Sequence, residues 1–158
     1  MNNNHNNLET LREINNLKAK DIAEKLNIYK SVYSEWENNK TPIPTRRLIE
    51  LANIYQINID YLLNLTNKKI TITNDFTTIN LKEIGLRLKS IRTYLNLSLR
   101  ALGDKLNCSF SAFAAYERGE KLINSEILVS FAILSNYSID YILGRTSNKY
   151  LLVDKKKR

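Results

Sequence analysis

Cysteine, histidine, glycine and proline are all scarce in this chain of 158 residues, which has one Cys, one His, four Gly and two Pro. A lone Cys108 excludes an internal disulfide and any cysteine metal cluster. His5 is the single imidazole, so no His/Cys constellation exists for zinc or for nucleophilic catalysis. No cofactor and no metal is expected, and the chain does not read as an enzyme. There is no long apolar run and no secretory segment, so no membrane partner is expected and a cytoplasmic protein is. No ligand-sensing segment is evident, so no small-molecule ligand is expected either. What is abundant is Leu, Ile, Lys and Asn, a mixture that suits short helices joined by tight turns.

Positive charge is in surplus. The formal net charge is +8, with an isoelectric point near 9.5. A field of that sign favours polyanions, meaning nucleic acid or an anionic surface. The surplus is uneven: residues 1–80 carry 10 basic and 9 acidic side chains, residues 81–158 carry 14 and 7. Lys155 to Arg158 supply four of those positive charges. Such a terminal run reads first as a solvated tail and second as a non-specific phosphate grip.

The strongest signal is internal repetition. Shifted by 80, residues 8–66 align with 88–146 without a gap, with 17 identities in 59 positions. They include Leu8/Leu88, Arg12/Arg92, Asn16/Asn96, Glu37/Glu117 and Ala52/Ala132, the run Lys25–Asn27 with Lys105–Asn107, and Ile59–Tyr61 with Ile139–Tyr141. A gapless register means equal loop lengths in both copies. It runs on through Lys69–Thr73 and Lys149–Val153, both β-prone, which predicts a short strand after each copy.

Each copy reads as five short helices. In the first they cover about 8–15, 18–26, 30–38, 45–55 and 59–63. Leu8, Leu11 and Ile14 are expected on one face of the first, Ile22, Ala23 and Leu26 inward on the second, and Tyr33 and Trp36 inward on the third. Leu48, Leu51, Ala52 and Tyr55 face the core from the fourth. Thr45 is the expected N-cap there, and Ser98 and Ser125 are the caps expected in the second copy. Three positions follow helices where the chain needs a left-handed residue. They hold Asn27, Asn39 and Asn64, then Asn107, Gly119 and Gly144, the residue types that enter positive φ at low cost. The tight turn at Asn27 and at Asn107 joins the second helix to the third.

Taken together, Ile22-Ala23…Leu26-Asn27-Ile28…Trp36-Glu37-Asn38-Asn39-Lys40-Thr41-Pro42 resembles the helix-turn-helix superfamily of lambda-type phage repressors, Cro and XRE-type regulators. The second copy agrees through Ile84-Gly85…Arg92, Tyr116-Glu117-Arg118-Gly119 and Ile139–Thr146. The likeness covers about 120 of the 158 residues. It implies an all-α fold of two tandem five-helix lambda-repressor-like domains. The expected division is a disordered terminus at 1–7, domains at 8–67 and 81–147, a linker with a strand at 68–80, and a strand with a basic tail at 148–158. The implied activity is sequence-specific binding of double-stranded DNA as a repressor-like transcription regulator.

The resemblance also assigns roles. Arg12 with Glu37, and Arg92 with Glu117, are similar to the family's structural ion pair between the first and third helices. The third helix is implied to lie in the major groove. In the first copy it presents Tyr29, Lys30, Ser31, Ser34, Glu35 and Asn38; Asn38, Lys40 and Thr41 stand where the family contacts phosphates, Arg46 follows at the start of the fourth helix, and Lys20 joins the DNA-binding set. Lys30 suits guanine, Glu35 suits cytosine N4, and the two serines pair with several bases. In the second copy the set is Arg100, Ser109, Phe110, Ser111, Ala115, Arg118 and Lys121. Phe110 and Ala115 can touch thymine methyls but donate no hydrogen bonds, and Glu120 stands where the first copy has Lys40.

The family often begins its motif with a Gln. This chain has Ala19 and Leu99 there, which weakens any borrowed base code. Cys108 and Gly103 read as packing residues beside the turn. The tandem copies are expected to act as a built-in pseudo-dimer, each taking a half-site about one helical turn apart. The alternative is a protein-interaction module, antitoxin-like or a phage-control partner, in which the second copy makes a homodimer or binds another protein.

Overall fold

In the computed structural model, residues 5–73 and 78–151 are described, and the chain divides into two compact units that meet in sequence at residues 74 and 75. Parts of the expected linker, of the second strand and the whole basic tail lie outside the described residues.

The first unit consists of α1 (Leu8–Ile14), α2 (Ala19–Leu26), α3 (Lys30–Glu37), α4 (Thr45–Tyr55) and α5 (Ile59–Leu62). The second consists of α6 (Leu81–Tyr94), α7 (Leu99–Leu106), α8 (Phe110–Glu117), α9 (Ser125–Ser135) and α10 (Ile139–Ile142). Helices this short are marginal alone, so packing of their apolar faces holds them. The first core gathers Leu8, Leu11, Ile22, Tyr33, Trp36, Leu48, Leu51 and Ile59. The second gathers Leu88, Ile91, Leu102, Phe113, Leu128, Phe131 and Ile139. Phe113 lies 5.5 Å from Phe131 between ring centroids.

The turns are left-handed at Asn27, Asn39, Asn64, Asn107, Gly119 and Gly144. At Asn27, φ is 53°; its N–H donates to Glu24, and that of Ile28 to the Ala23 carbonyl at 3.0 Å. These bonds occupy carbonyls that the end of α2 would otherwise leave without partners. Asn16, Gln56, Asn96 and Asn136 are left-handed as well. Among the described residues the positive-φ positions thus form pairs 80 apart: 16/96, 27/107, 39/119, 56/136 and 64/144.

Several expectations change. No strand forms among the described residues; isolated antiparallel bridges join Ile57 to Thr71 and Tyr137 to Tyr150. The partner of each β-prone segment is the short link between two helices, at residues 56–58 and 136–138, which is too short for a ladder. Pro44, not Thr45, is the N-cap of α4, and Thr45 is its buried first residue. Asn124, not Ser125, caps α9, its side chain accepting from the Glu126 N–H at 2.9 Å. Ser98 does cap α7, accepting from the Ala101 N–H at 3.0 Å. Ile14 is the last residue of α1 and is 59% exposed, because the helix ends before a further turn meets the core.

The terminus read as disordered is tied to the fold where it is described. The Asn6 side chain donates to the Trp36 carbonyl at 2.8 Å and to Asn39 Oδ1 at 3.1 Å. Asn7 donates through its backbone to Leu62 at 2.8 Å and through its side chain to Tyr61 at 2.7 Å. In the second unit the aligned stretch is helical, so α6 starts seven residues before the position of Leu8. Gly85 permits this. A Cβ there would lie 2.3 Å from the Glu117 carbonyl oxygen and 2.7 Å from that of Tyr116.

Candidate nucleic-acid interface

The surface around α3 is built by the α2–turn–α3 segment and braced from α1. Arg12 Nε donates to Glu37 Oε1 at 2.7 Å, and its Nη1 donates to the Leu17 carbonyl at 3.2 Å. One side chain therefore joins α1, the loop after it and the end of α3. Glu37 is only 10% exposed, so the pair is partly shielded from solvent. In the second unit Arg92 holds Glu117 bidentately, Nε to Oε1 at 2.5 Å and Nη2 to Oε2 at 3.1 Å, and its Nη1 donates to Leu97 at 2.8 Å. Hydrogen bonding to Glu117 raises the Arg92 guanidinium above its ordinary range, outweighing desolvation, which acts in the opposite direction.

Of the residues assigned to the first unit's DNA face, Lys20, Tyr29, Lys30, Ser31, Glu35, Asn38, Lys40, Thr41 and Arg46 are exposed, and Ser34 is half-buried. Tyr29 is 82% exposed at the N-cap of α3. Lys30 and Ser31 open that helix. Among the described residues, none of Lys20, Lys30, Lys40 and Arg46 is engaged in an ion pair, whereas Arg47 is held by Glu50. Asn38 already donates to the Ser34 carbonyl at 2.8 Å, leaving one amide hydrogen for another acceptor.

The second unit differs. Arg100, Ser109, Phe110, Ser111, Arg118 and Lys121 are exposed. Ala115 is 8% exposed and faces the core, so it cannot touch a thymine methyl. Ser109 spends its acceptor on capping α8, taking the Ala112 N–H at 3.2 Å. Arg118 is paired with Glu120 at 2.7 Å on the open surface, and Arg118 holds the Glu120 carboxyl below the ordinary carboxylate range. The Arg100 guanidinium lies 5.3 Å from the Phe110 ring centroid.

Arg145 carries no signal in the sequence, whereas close packing at Gly103 and Cys108 beside the turn is what the sequence leads one to expect. Arg145 is ion-paired with Asp140, both essentially fully buried, so this arginine belongs to the core. A Cβ on Gly103 would lie 2.4 Å from the Cys108 carbonyl oxygen, so α7 meets the start of α8 more closely than a side chain allows. Cys108 is half-buried, and burial pushes its thiol up.

Residues 6–68 match the family model described as a helix-turn-helix domain. Over 60 residues the chain is 37% identical to an uncharacterized HTH-type transcriptional regulator, YobD, of Bacillus subtilis (strain 168), covering 38% of this chain and 54% of that protein. The chain therefore spans about half the length of this curated relative. The P22 c2 repressor, solved with a synthetic operator, is 30% identical over 40% of this chain and 96% of its own, with a TM-score of 0.38. The clp gene regulator ClgR of Corynebacterium glutamicum is 26% identical over 43% and 72%, with a TM-score of 0.39. No helix among the described residues is long and apolar enough to cross a membrane.

Proposed function

We propose, from the helix-turn-helix domain of residues 6–68, that the chain is a sequence-specific regulator of transcription that binds operator DNA in the cytoplasm. The observation that carries this reading is the exposed rim of Lys20, Lys30, Lys40 and Arg46 around the N-terminal half of α3, none of them ion-paired among the described residues. Lys20, Lys40 and Arg46 meet phosphates, while Lys30, Ser31, Ser34 and Glu35 face base edges. Arg12 and Glu37 hold α3 at the angle from which those side chains reach the groove.

The second unit is proposed as a further helix-turn-helix copy on its own half-site. The 80-residue recurrence of left-handed positions and of the Arg–Glu pair supports this. The operator is then an imperfect repeat, since α8 presents a different face from α3. The experiment is equilibrium binding to duplex DNA at rising salt. Affinity should fall steeply, by close to one power of salt concentration per phosphate contact. A flat dependence overturns the proposal.

A second reading gives the second unit a protein contact. Ile133, Leu134 and Tyr150 are exposed there, at 60%, 40% and 58%. Light scattering on the wild type and on Ile133→Asp separates the two: a dimer mass that halves in the variant favours protein contact, and a monomer mass in both removes it.

A further inference from the structure

We infer that the second unit reads a T·A pair next to a G·C pair through one stacked pair of side chains, Phe110 and Arg100. The inference rests on the reading of that unit as DNA-binding. Phe110 is the first residue of α8 and Arg100 the second of α7, so the two helix N-termini bring them to one surface. Phe110 is 51% exposed, so its ring is available at the surface beside Arg100. The Arg100 guanidinium stands 5.3 Å from its centroid. This cation–π contact restrains the guanidinium over the ring and leaves its N–H groups able to donate.

Each group supplies what the other lacks. The ring offers apolar contact for a thymine methyl and no donor. The guanidinium offers the paired donors that match guanine O6 and N7. Their separation is comparable to the spacing of neighbouring stacked base pairs, about 3.4 Å of rise plus a lateral offset. The aligned positions of the first unit are Lys20 and Lys30, two ammonium groups with no ring and no plane. The pair is therefore peculiar to the second unit and predicts that the two half-sites differ. Arg118 does not duplicate the role, because Glu120 already holds it at 2.7 Å.

The test uses the full chain and a duplex it selects from a random pool. In one half-site a thymine beside a guanine should recur. Replacing that thymine by deoxyuridine removes only the methyl and should cost about three- to fivefold in affinity. Replacing the guanine by 7-deazaguanine should cost about tenfold. Phe110→Ala should abolish the first penalty and Arg100→Ala the second, with melting temperature unchanged because both side chains are exposed. If the second half-site recurs but neither base change matters, the inference is overturned and DNA binding by that unit stands. If deoxyuridine costs affinity while 7-deazaguanine does not, Arg100 serves a phosphate and the paired readout is overturned. If only one half-site recurs, the inference falls together with the reading on which it rests.

Discussion

Arg12 and Glu37 show how much a single contact can organise. The carboxylate ends α3, the guanidinium sits on α1, and the latter's Nη1 reaches the Leu17 carbonyl. Removing one partner leaves a partly buried charge without its counterion. Arg12→Ala should destabilise the first unit by about 2–3 kcal/mol, less than for a fully buried pair because both side chains keep some solvent. A double-mutant cycle with Glu37→Gln, read by urea unfolding, checks that the loss belongs to the pair. Tyr33 gives a pH signature. Burial, with Tyr55 adding to it, lifts the Tyr33 hydroxyl well above the ordinary phenol range. The folded state thus holds a proton that the unfolded chain releases above a pH of about 10. Stability is full below that pH and falls as pH rises beyond it. Tyr33→Phe, matching Phe113 at the aligned position, should flatten part of that alkaline loss, measured as urea midpoints between pH about 8 and 11. Gly103→Ala should cost about 1–3 kcal/mol in the second unit, because its Cβ would be driven into the Cys108 carbonyl.

At the scale of elements, the five helices of the first unit and all but the start of α6 in the second were legible to within about a residue, because apolar spacing and left-handed Asn or Gly mark both their faces and their ends. What escaped depends on tertiary packing. Gln56 takes φ 51° although Gln has no special tolerance for it, since α4 must reverse there into the short link before α5. Asn6 and Asn7 look like part of a polar tail, yet their amides find carbonyls more than 29 residues away. The start of α6 could have been suspected from Gly85, but only the approach of the Tyr116 and Glu117 carbonyls shows why glycine stands there. Of the candidate site, the exposed rim of the first unit was legible. Ala115 was not, because an alanine carries no signal for which side of a short helix it takes. Replacing both Lys20 and Lys40 by Ala should weaken binding and lower the salt slope by about one for each phosphate no longer neutralised, as measured by fluorescence anisotropy.

For the whole molecule, features that recur 80 residues apart go together with surfaces that differ. The scaffold repeats in its turns and in its Arg–Glu brace, while the surfaces of α3 and α8 carry different chemistry. Formal charge overstates the grip of the second unit: four of its arginines, Arg87, Arg92, Arg118 and Arg145, are paired with carboxylates. Glu120→Lys would restore the charge found at Lys40 and release Arg118. It should raise DNA affinity at low salt and steepen the salt slope by about one to two. Sequence-specific binding through α3 is tested most directly by selection of bound duplexes from a random pool, run in parallel on the wild type and on Lys30→Ala. A recurring motif is expected in the wild type, with the base facing Lys30 relaxed in the variant and the remaining positions kept. No recurring motif in the wild type, or the same motif at every position in the variant, would contradict that role for α3.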